Sequence, residues 1–151
     1  MQKYSLPLML LWVFAAPAFG AQGLVVVESP HRVGDTADRL QQALDSKGMT
    51  VFARIDHAAG AAKVGTDLPA TELVIFGNPK VGTPLMKCAR TVAVDLPQKA
   101  LIWEDAEGRV WLAYNDPAYL GERHGLGEPC AKVLDKVSAA LGNFAAAATA
   151  P

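Results

Sequence analysis

Side chains that could carry chemistry occur in three segments, each of which begins where a predicted strand ends. The candidate ligand-binding residues in these segments are Asp56, His57, Asn78, Lys80, Asn115, Asp116, Tyr119 and His124. Because connections that leave one edge of a sheet can share a cleft, we predict that these groups converge. Imidazole, amide, carboxylate and ammonium groups in one hollow would suit a small ligand or a metal ion.

His57 is the candidate for acid–base chemistry, because an imidazole titrates near neutral pH. With Asp56 or Asp116 to orient it, His57 would serve a hydrolase or lyase as a general base. The alternative is a histidine that fills a turn and bonds to backbone. The sequence contains no HExxH motif, no nucleophile elbow and no clustered metal ligands, so catalytic residues, a metal site and a cofactor stay unassigned.

The other candidates also have structural explanations. Asn78 and Asp116 each precede a proline, which is the pattern of a helix N-cap with proline at the first helical position. His124 precedes Gly125 at a predicted helix end, where the helix dipole favours a cation. Lys80 would either bind an anion beside a helix N-terminus or extend into solvent. The sequence allows both interpretations of each residue.

The elements that must position these residues form an α+β pattern. Apolar or alternating runs predict strands at 24–27, 50–55, 71–77, 99–104 and 109–114, and helical spacing predicts helices at 33–47, 117–123 and 130–144. The stretch 56–65 fits a short helix or a loop. We predict one α+β domain at 21–144, built as a two-layer sandwich with helices on one face of the sheet, and a flexible alanine-rich tail at 145–151.

The predicted hairpin formed by 99–104 and 109–114 is apolar on both faces. With 105–108 as its loop, Trp103 lies opposite Val110 and Ile102 lies opposite Trp111. A two-layer protein normally carries polar side chains on its uncovered face. We therefore predict that a partner subunit covers this face. A register error of one residue would exchange the faces and leave both apolar.

Residues 1–20 have the features of a secretory signal, since Lys3 precedes a short apolar run that ends in small residues. A retained membrane anchor is the alternative, although a span needs about 20 apolar residues and this run is shorter. We expect cleavage of the signal, a periplasmic or secreted location, and no membrane span in the mature chain.

Composition limits the classes of binding partner, and the cysteine content bears on the cellular compartment. The chain has 14 basic and 15 acidic residues without a basic tract, which argues against a nucleic-acid partner. Cys88 and Cys130 would enter an oxidising compartment after export, where a disulfide is permitted. Their pairing would stabilise the fold by roughly 4 kcal/mol in the chain-entropy model. Two separate buried thiols are the alternative.

Several segments, taken together, resemble the family called domain of unknown function 302. They are VFARIDHAAGA at 51–61, ELVIFGNPKVGTPLM at 72–86, DLP at 95–97, WED at 103–105, YNDPAYL at 114–120 and RHG at 123–125. The resemblance covers roughly residues 24–125. It implies a β-α-β(4)-α fold like that of the TATA-binding protein and a tendency to form homodimers. The family has no settled biochemical activity, so the resemblance supplies no catalytic residues.

These observations leave three functional hypotheses. The first is an exported homodimeric binding or accessory protein that holds a small ligand or a metal ion. The second is a hydrolase or lyase that uses His57 as its base. The third is a structural dimer without a ligand. We favour the first, because polar residues cluster at strand ends without a recognisable set of catalytic groups.

Overall fold

The computed structural model describes residues 21–151, so the signal-peptide prediction for residues 1–20 lies outside the described part. The strands are β1 (Leu24–Ser29), β2 (Thr50–Asp56), β3 (Thr71–Gly77), β4 (Gln98–Glu104) and β5 (Val110–Asn115). The helices are α1 (Val33–Ser46), α2 (His57–Lys63), α3 (Pro79–Cys88), α4 (Pro117–His124) and α5 (Gly127–Thr149). A short 3-10 helix, Arg90–Val94, lies between α3 and β4. The predicted α+β class is confirmed.

The strands form one open antiparallel sheet in the order β1-β5-β4-β3-β2. Because β1 and β2 lie at opposite edges, α1 crosses the sheet to connect them, and it contacts the four strands from β2 to β5. Alternate strand residues, among them Val74 and Phe76 of β3, point toward the helices and are buried. Leu40 and Leu44, four residues apart on α1, meet them from the other layer.

The β4–β5 hairpin differs by one residue from the predicted register. Trp103 pairs with Trp111 and not with Val110. The backbone N–H of Asp105 donates to the carbonyl of Arg109 over 2.8 Å, and the carboxylate of Asp105 accepts the N–H of Arg109 over 2.9 Å. These bonds draw Arg109 into the loop. Both tryptophans therefore lie on the face of the sheet opposite α1 and α5.

The prediction of a flexible tail at 145–151 is wrong. In the structure α5 continues to Thr149 and packs against α1. Ala145 and Ala148 are buried. The Arg39 guanidinium donates to the carbonyls of Ala148 over 3.1 Å and Ala150 over 2.7 Å. Terminal helix carbonyls lack partners within their own helix, so this arginine satisfies them.

A disulfide joins Cys88, the last residue of α3, to Cys130 in the first turn of α5, with a Cα–Cα distance of 6.5 Å. Of the two alternatives predicted for the cysteines, the structure contains the disulfide and not two separate thiols. The bond holds α3 against α5 at the end remote from Pro79, and α3 forms a wall of the site described next.

Candidate functional site

The antiparallel sheet separates the predicted binding residues. Asp56 ends β2 beside the start of β3, whereas Asn78 follows the end of β3. A strand of 7 residues is roughly 20 Å long at about 3.3 Å per residue. Because β2 and β3 are antiparallel, the end of β2 and the end of β3 lie at opposite ends of the strands. Asp56 and His57 therefore do not share a hollow with Asn78. The predicted convergence of all three segments is not what the structure shows.

The two carboxylates considered as partners of His57 serve as helix caps. Asp56 accepts the backbone N–H of Ala59 over 2.8 Å at the start of α2, where His57 is the first helical residue and is exposed. Asp116 accepts the N–H of Ala118 over 2.9 Å at the start of α4. Capping explains both residues, and the hydrolase or lyase hypothesis gains no support from their geometry.

Asn115 and Tyr119 lie where the end of β5 meets the residues that lead into β1. Asn115 pairs with Leu24 across the sheet. The backbone N–H of Asp116 donates to the carbonyl of Gly23 over 2.8 Å. The Tyr119 ring lies so close to Gly23 that an added Cβ there would be 2.4 Å from it. This segment therefore fastens the start of β1 to α4.

His124 belongs to a hydrogen-bonded group that links α4 to the 3-10 helix. Its Nδ1 lies 3.1 Å from Oγ1 of Thr91, and its Nε2 lies 2.6 Å from Oδ2 of Asp95. Arg123 also donates to Asp95, over 3.3 Å. A hydroxyl, an imidazole and a carboxylate in this order are the groups of a serine-type catalytic triad, but the ring nitrogens are exchanged here, with Nδ1 facing the hydroxyl. The His124 side chain is only 6% exposed, however, and none of the three lines the hollows described below. We interpret the group as a structural clamp.

Two adjacent hollows lie beside α3. The first has a volume of about 270 Å³ and is lined by apolar side chains that include Phe52, Val81, Leu85, Met86 and Leu96. The second has a volume of about 510 Å³ and lies against Val133, Val137, Leu141 and Phe144 of α5. The residues common to both walls are Met49, Asn78, Val81 and Gln98. Volumes of about 300–1,000 Å³ are usual for small-molecule sites.

Gln98 is a buried polar residue in both walls. It is 8% exposed and pairs with Phe76, so its side chain points toward the helices. Its Oε1 has no hydrogen-bond partner among residues 21–151. An unpaired buried carbonyl costs about 1–3 kcal/mol. Sequence reasoning missed Gln98, although it occupies the same alternate face as Ala100 and Ile102, where an apolar residue is expected.

Two predicted residues, Asn78 and Lys80, do lie at these hollows. The Asn78 carboxamide accepts the backbone N–H of Lys80 over 2.9 Å and donates to the carbonyl of Gly48 over 3.2 Å. Asn78 is thus a helix cap and a link to the loop before β2. Lys80 is exposed, and it lines the second hollow together with Lys47 and Lys136. None of the residues described as lining either hollow is acidic.

Relatives with curated names match part of the chain. It is 56% identical over 105 residues, or 70% of its length, to the fluoride-specific ion channel FluC 1 of Brucella suis biovar 1, and it covers 41% of that protein. The fluoride-specific ion channel FluC 2 of Brucella melitensis biotype 1 is also 56% identical over 105 residues. The match covers 39% of that protein. The chain therefore spans about two fifths of these relatives. No helix within residues 21–151 combines the length and apolar character needed to cross a membrane.

The family and the fold are shown by two further comparisons. The crystal structure of an uncharacterized conserved protein DUF302 from Bacillus stearothermophilus has a TM-score of 0.74 and 16% sequence identity. The match covers 85% of this chain and 99% of that one, and at this identity it shows the fold alone. The family model for domain of unknown function DUF302 matches residues 25–144, and the chain therefore belongs to the DUF302 family.

Proposed function

We propose that this protein is an exported, homodimeric binding or accessory domain whose ligand is a small, mostly apolar molecule with one hydrogen-bond donor. The observation that carries this proposal is Gln98, a buried residue in the walls of two apolar hollows whose Oε1 has no hydrogen-bond partner among residues 21–151. Small-molecule sites are typically apolar with a few polar groups that orient the ligand. A ligand N–H or O–H would satisfy Gln98 while its apolar part fills the hollow.

An organic ligand fits these residues better than a metal ion. Within residues 21–151, no group of three or more histidine, cysteine or acidic side chains could hold a metal. His57 and His124, which were candidate ligands, belong to different parts of the fold. Carboxamide oxygens alone are weak support for a metal, whereas a carboxamide in an apolar wall is typical of small-molecule recognition.

Dimerisation is supported by the face of the sheet opposite α1 and α5. The strand registers place a row of apolar residues across that face: Val26, Ala113, Leu101, Leu73 and Ile55. Trp103 and Trp111 form a second apolar pair beside this row. Extended apolar patches mark interaction sites. A second copy of the chain is the occupant we propose, because a two-fold axis would pack this face against itself.

Export is supported by the signal-like pattern in residues 1–20 and by the disulfide between Cys88 and Cys130. Disulfides form and persist in oxidising compartments. We therefore propose that the mature protein is periplasmic or secreted.

The binding proposal can be tested by calorimetry with two neutral ligands that differ in a single donor. N-decylacetamide has an amide N–H, and N-decyl-N-methylacetamide has a methyl group in its place. We expect the first to bind about tenfold more tightly, which corresponds to one hydrogen bond of about 1.4 kcal/mol to a buried acceptor.

The Gln98→Leu variant should abolish this preference while leaving apolar binding in place. Gln42→Leu, on the exposed face of α1, is the matched control and should retain the preference. Equal affinity of the wild-type protein for the two ligands, or no binding of either, would contradict the proposal.

A second candidate rests on the identity with the Brucella proteins, namely an accessory role beside a fluoride channel. A strain that lacks this protein should then stop growing at a lower fluoride concentration, and a plasmid copy should restore growth. Unchanged fluoride tolerance in the deletion strain would remove this candidate without affecting the binding proposal.

A further inference from the structure

We infer that the ligand of these hollows is an acidic amphiphile, a single-chain molecule whose anionic head lies among Lys47, Lys80 and Lys136 and whose chain occupies the apolar hollows. The inference rests on the proposed binding function and names its ligand class. It depends on the charge of the second hollow, on the apolar walls and on the position of Gln98.

The charge at the second hollow is positive and unbalanced. Lys47 follows α1, Lys80 lies in α3 and Lys136 lies in α5, so three separate parts of the chain each contribute a lysine to the lining of one hollow. Within residues 21–151, every ion pair involves an arginine or His124, and none involves these lysines. The whole chain has a formal charge of −1, so this local positive charge does not follow from overall composition. An anion is the complementary ligand group.

Most of the other residues that line the two hollows are apolar. Val133, Val137 and Phe144 of α5 line the second hollow, and Phe52 and Leu96 line the first. Lysine stems can lie along such a surface while their ammonium groups reach the rim. Each methylene group buried here should strengthen binding about fourfold. A hydrocarbon chain is therefore favoured over a polar metabolite.

Gln98 lies in the walls of both hollows, and the second of these also contains the three lysines. A ligand with an N–H between head and chain would place that donor near Oε1. An N-acyl amino acid has all three groups in this order: a carboxylate, an amide N–H and an acyl chain. The structure thus favours a free acidic amphiphile over a membrane surface, since electrostatic binding to anionic membranes typically uses clusters of about 4–8 basic residues.

The test is calorimetry of the purified protein with N-dodecanoylglycine and with neutral N-dodecanoylethanolamine, both kept below their critical micelle concentrations. The two probes share chain and N–H and differ in head charge. We expect the acid to bind at least tenfold more tightly at low salt. The difference should shrink when sodium chloride is raised about tenfold, because salt screens exposed charges.

The Lys80→Gln/Lys136→Gln variant should weaken binding of the acid about tenfold and change binding of the neutral probe less than twofold. Lys87→Gln/Lys132→Gln is the matched control, because these exposed lysines lie on the same two helices and line neither hollow. The control should bind both probes as the wild-type protein does.

The outcomes separate this inference from the proposed function. Equal binding of the two probes, with Gln98→Leu still removing the N–H preference, would overturn the acidic head and leave the binding function intact. Binding of neither probe would overturn both. Binding to phosphatidylglycerol vesicles without binding of either free probe would also overturn the inference, because it would assign the lysines to a membrane surface.

Discussion

The indole N–H of Trp111 donates to Oδ2 of Asp105 over 2.8 Å, across the loop that joins β4 to β5. The same carboxylate accepts the backbone N–H groups of Glu107 over 3.0 Å and Arg109 over 2.9 Å. Burial raises the pKa of Asp105, but these hydrogen bonds outweigh it and the pKa lies below its ordinary value. The ionised carboxylate thus holds the loop in the register that places Trp103 and Trp111 on one face.

Asp105→Asn should lower the free energy of unfolding at pH 6 by more than it does at pH 2.5. A carboxyl group whose pKa is lowered by folding stabilises the protein fully above its unfolded pKa of about 3.9. That contribution is lost as the pH falls through the lowered pKa of the folded state. Urea unfolding followed by tryptophan fluorescence measures the difference. Asp45→Asn, at an exposed site on α1, is the control. If Asp105→Asn lowered the free energy of unfolding equally at both pH values, the prediction would be contradicted.

Gln98→Met should raise the free energy of unfolding by about 1 kcal/mol in the absence of ligand, because it removes a buried oxygen without a partner. The same variant should lose the preference for ligands with an N–H. Chemical denaturation gives the stability, and Gln42→Met is the exposed control. Destabilisation by Gln98→Met would show that the carboxamide has a partner in the native protein.

Trp103→Glu should convert the proposed dimer to a monomer, because a carboxylate would be buried without a partner between two apolar sheet faces. Light scattering coupled to gel filtration at micromolar concentration measures the mass. Val94→Glu adds the same charge at an apolar residue that is 72% exposed on the 3-10 helix, and it should remain dimeric. A wild-type protein that is monomeric throughout this range would contradict the proposed dimer.

Cys88→Ser/Cys130→Ser should lower the free energy of unfolding by about 4 kcal/mol, because the disulfide closes a loop with a sequence separation of 42. The double variant should also bind N-decylacetamide more weakly, because residues of α3 line both hollows and α3 loses its covalent link to α5. Calorimetry of wild-type protein with and without reductant supplies a second measurement on an unaltered sequence. Unchanged ligand affinity in both experiments would show that the disulfide does not support the site.

Local patterns in the sequence were sufficient to predict the class of the fold and most of its elements. The alternation that buries Val74 and Phe76 and the four-residue spacing of Leu40 and Leu44 report how each segment meets the core. The Asn-Pro and Asp-Pro pairs also mark the starts of α3 and α4, where Asn78 and Asp116 cap the helices. These signals depend on neighbours within a few residues, which is why one sequence reveals them.

The C-terminal segment and the hairpin register needed the tertiary structure. Ala145 and Ala148 resemble a frayed tail in the sequence, but small side chains allow α5 to pack closely and Arg39 satisfies its last carbonyls. The hairpin register depends on the hydrogen bonds of a single carboxylate at Asp105. Neither the Arg39 contacts nor the Asp105 contacts produce a periodic pattern in the sequence.

The sequence by itself determined the composition of the domain: its strands, its helices, its caps and its family. Only the tertiary structure decided which polar groups meet. Strand order and direction place Asp56 and Asn78 at opposite ends of β3, and they bring Gln98 to α3 and α5. The physical reason is that periodicity reports the burial of one segment, whereas a site is formed by contacts between segments that are distant in the chain.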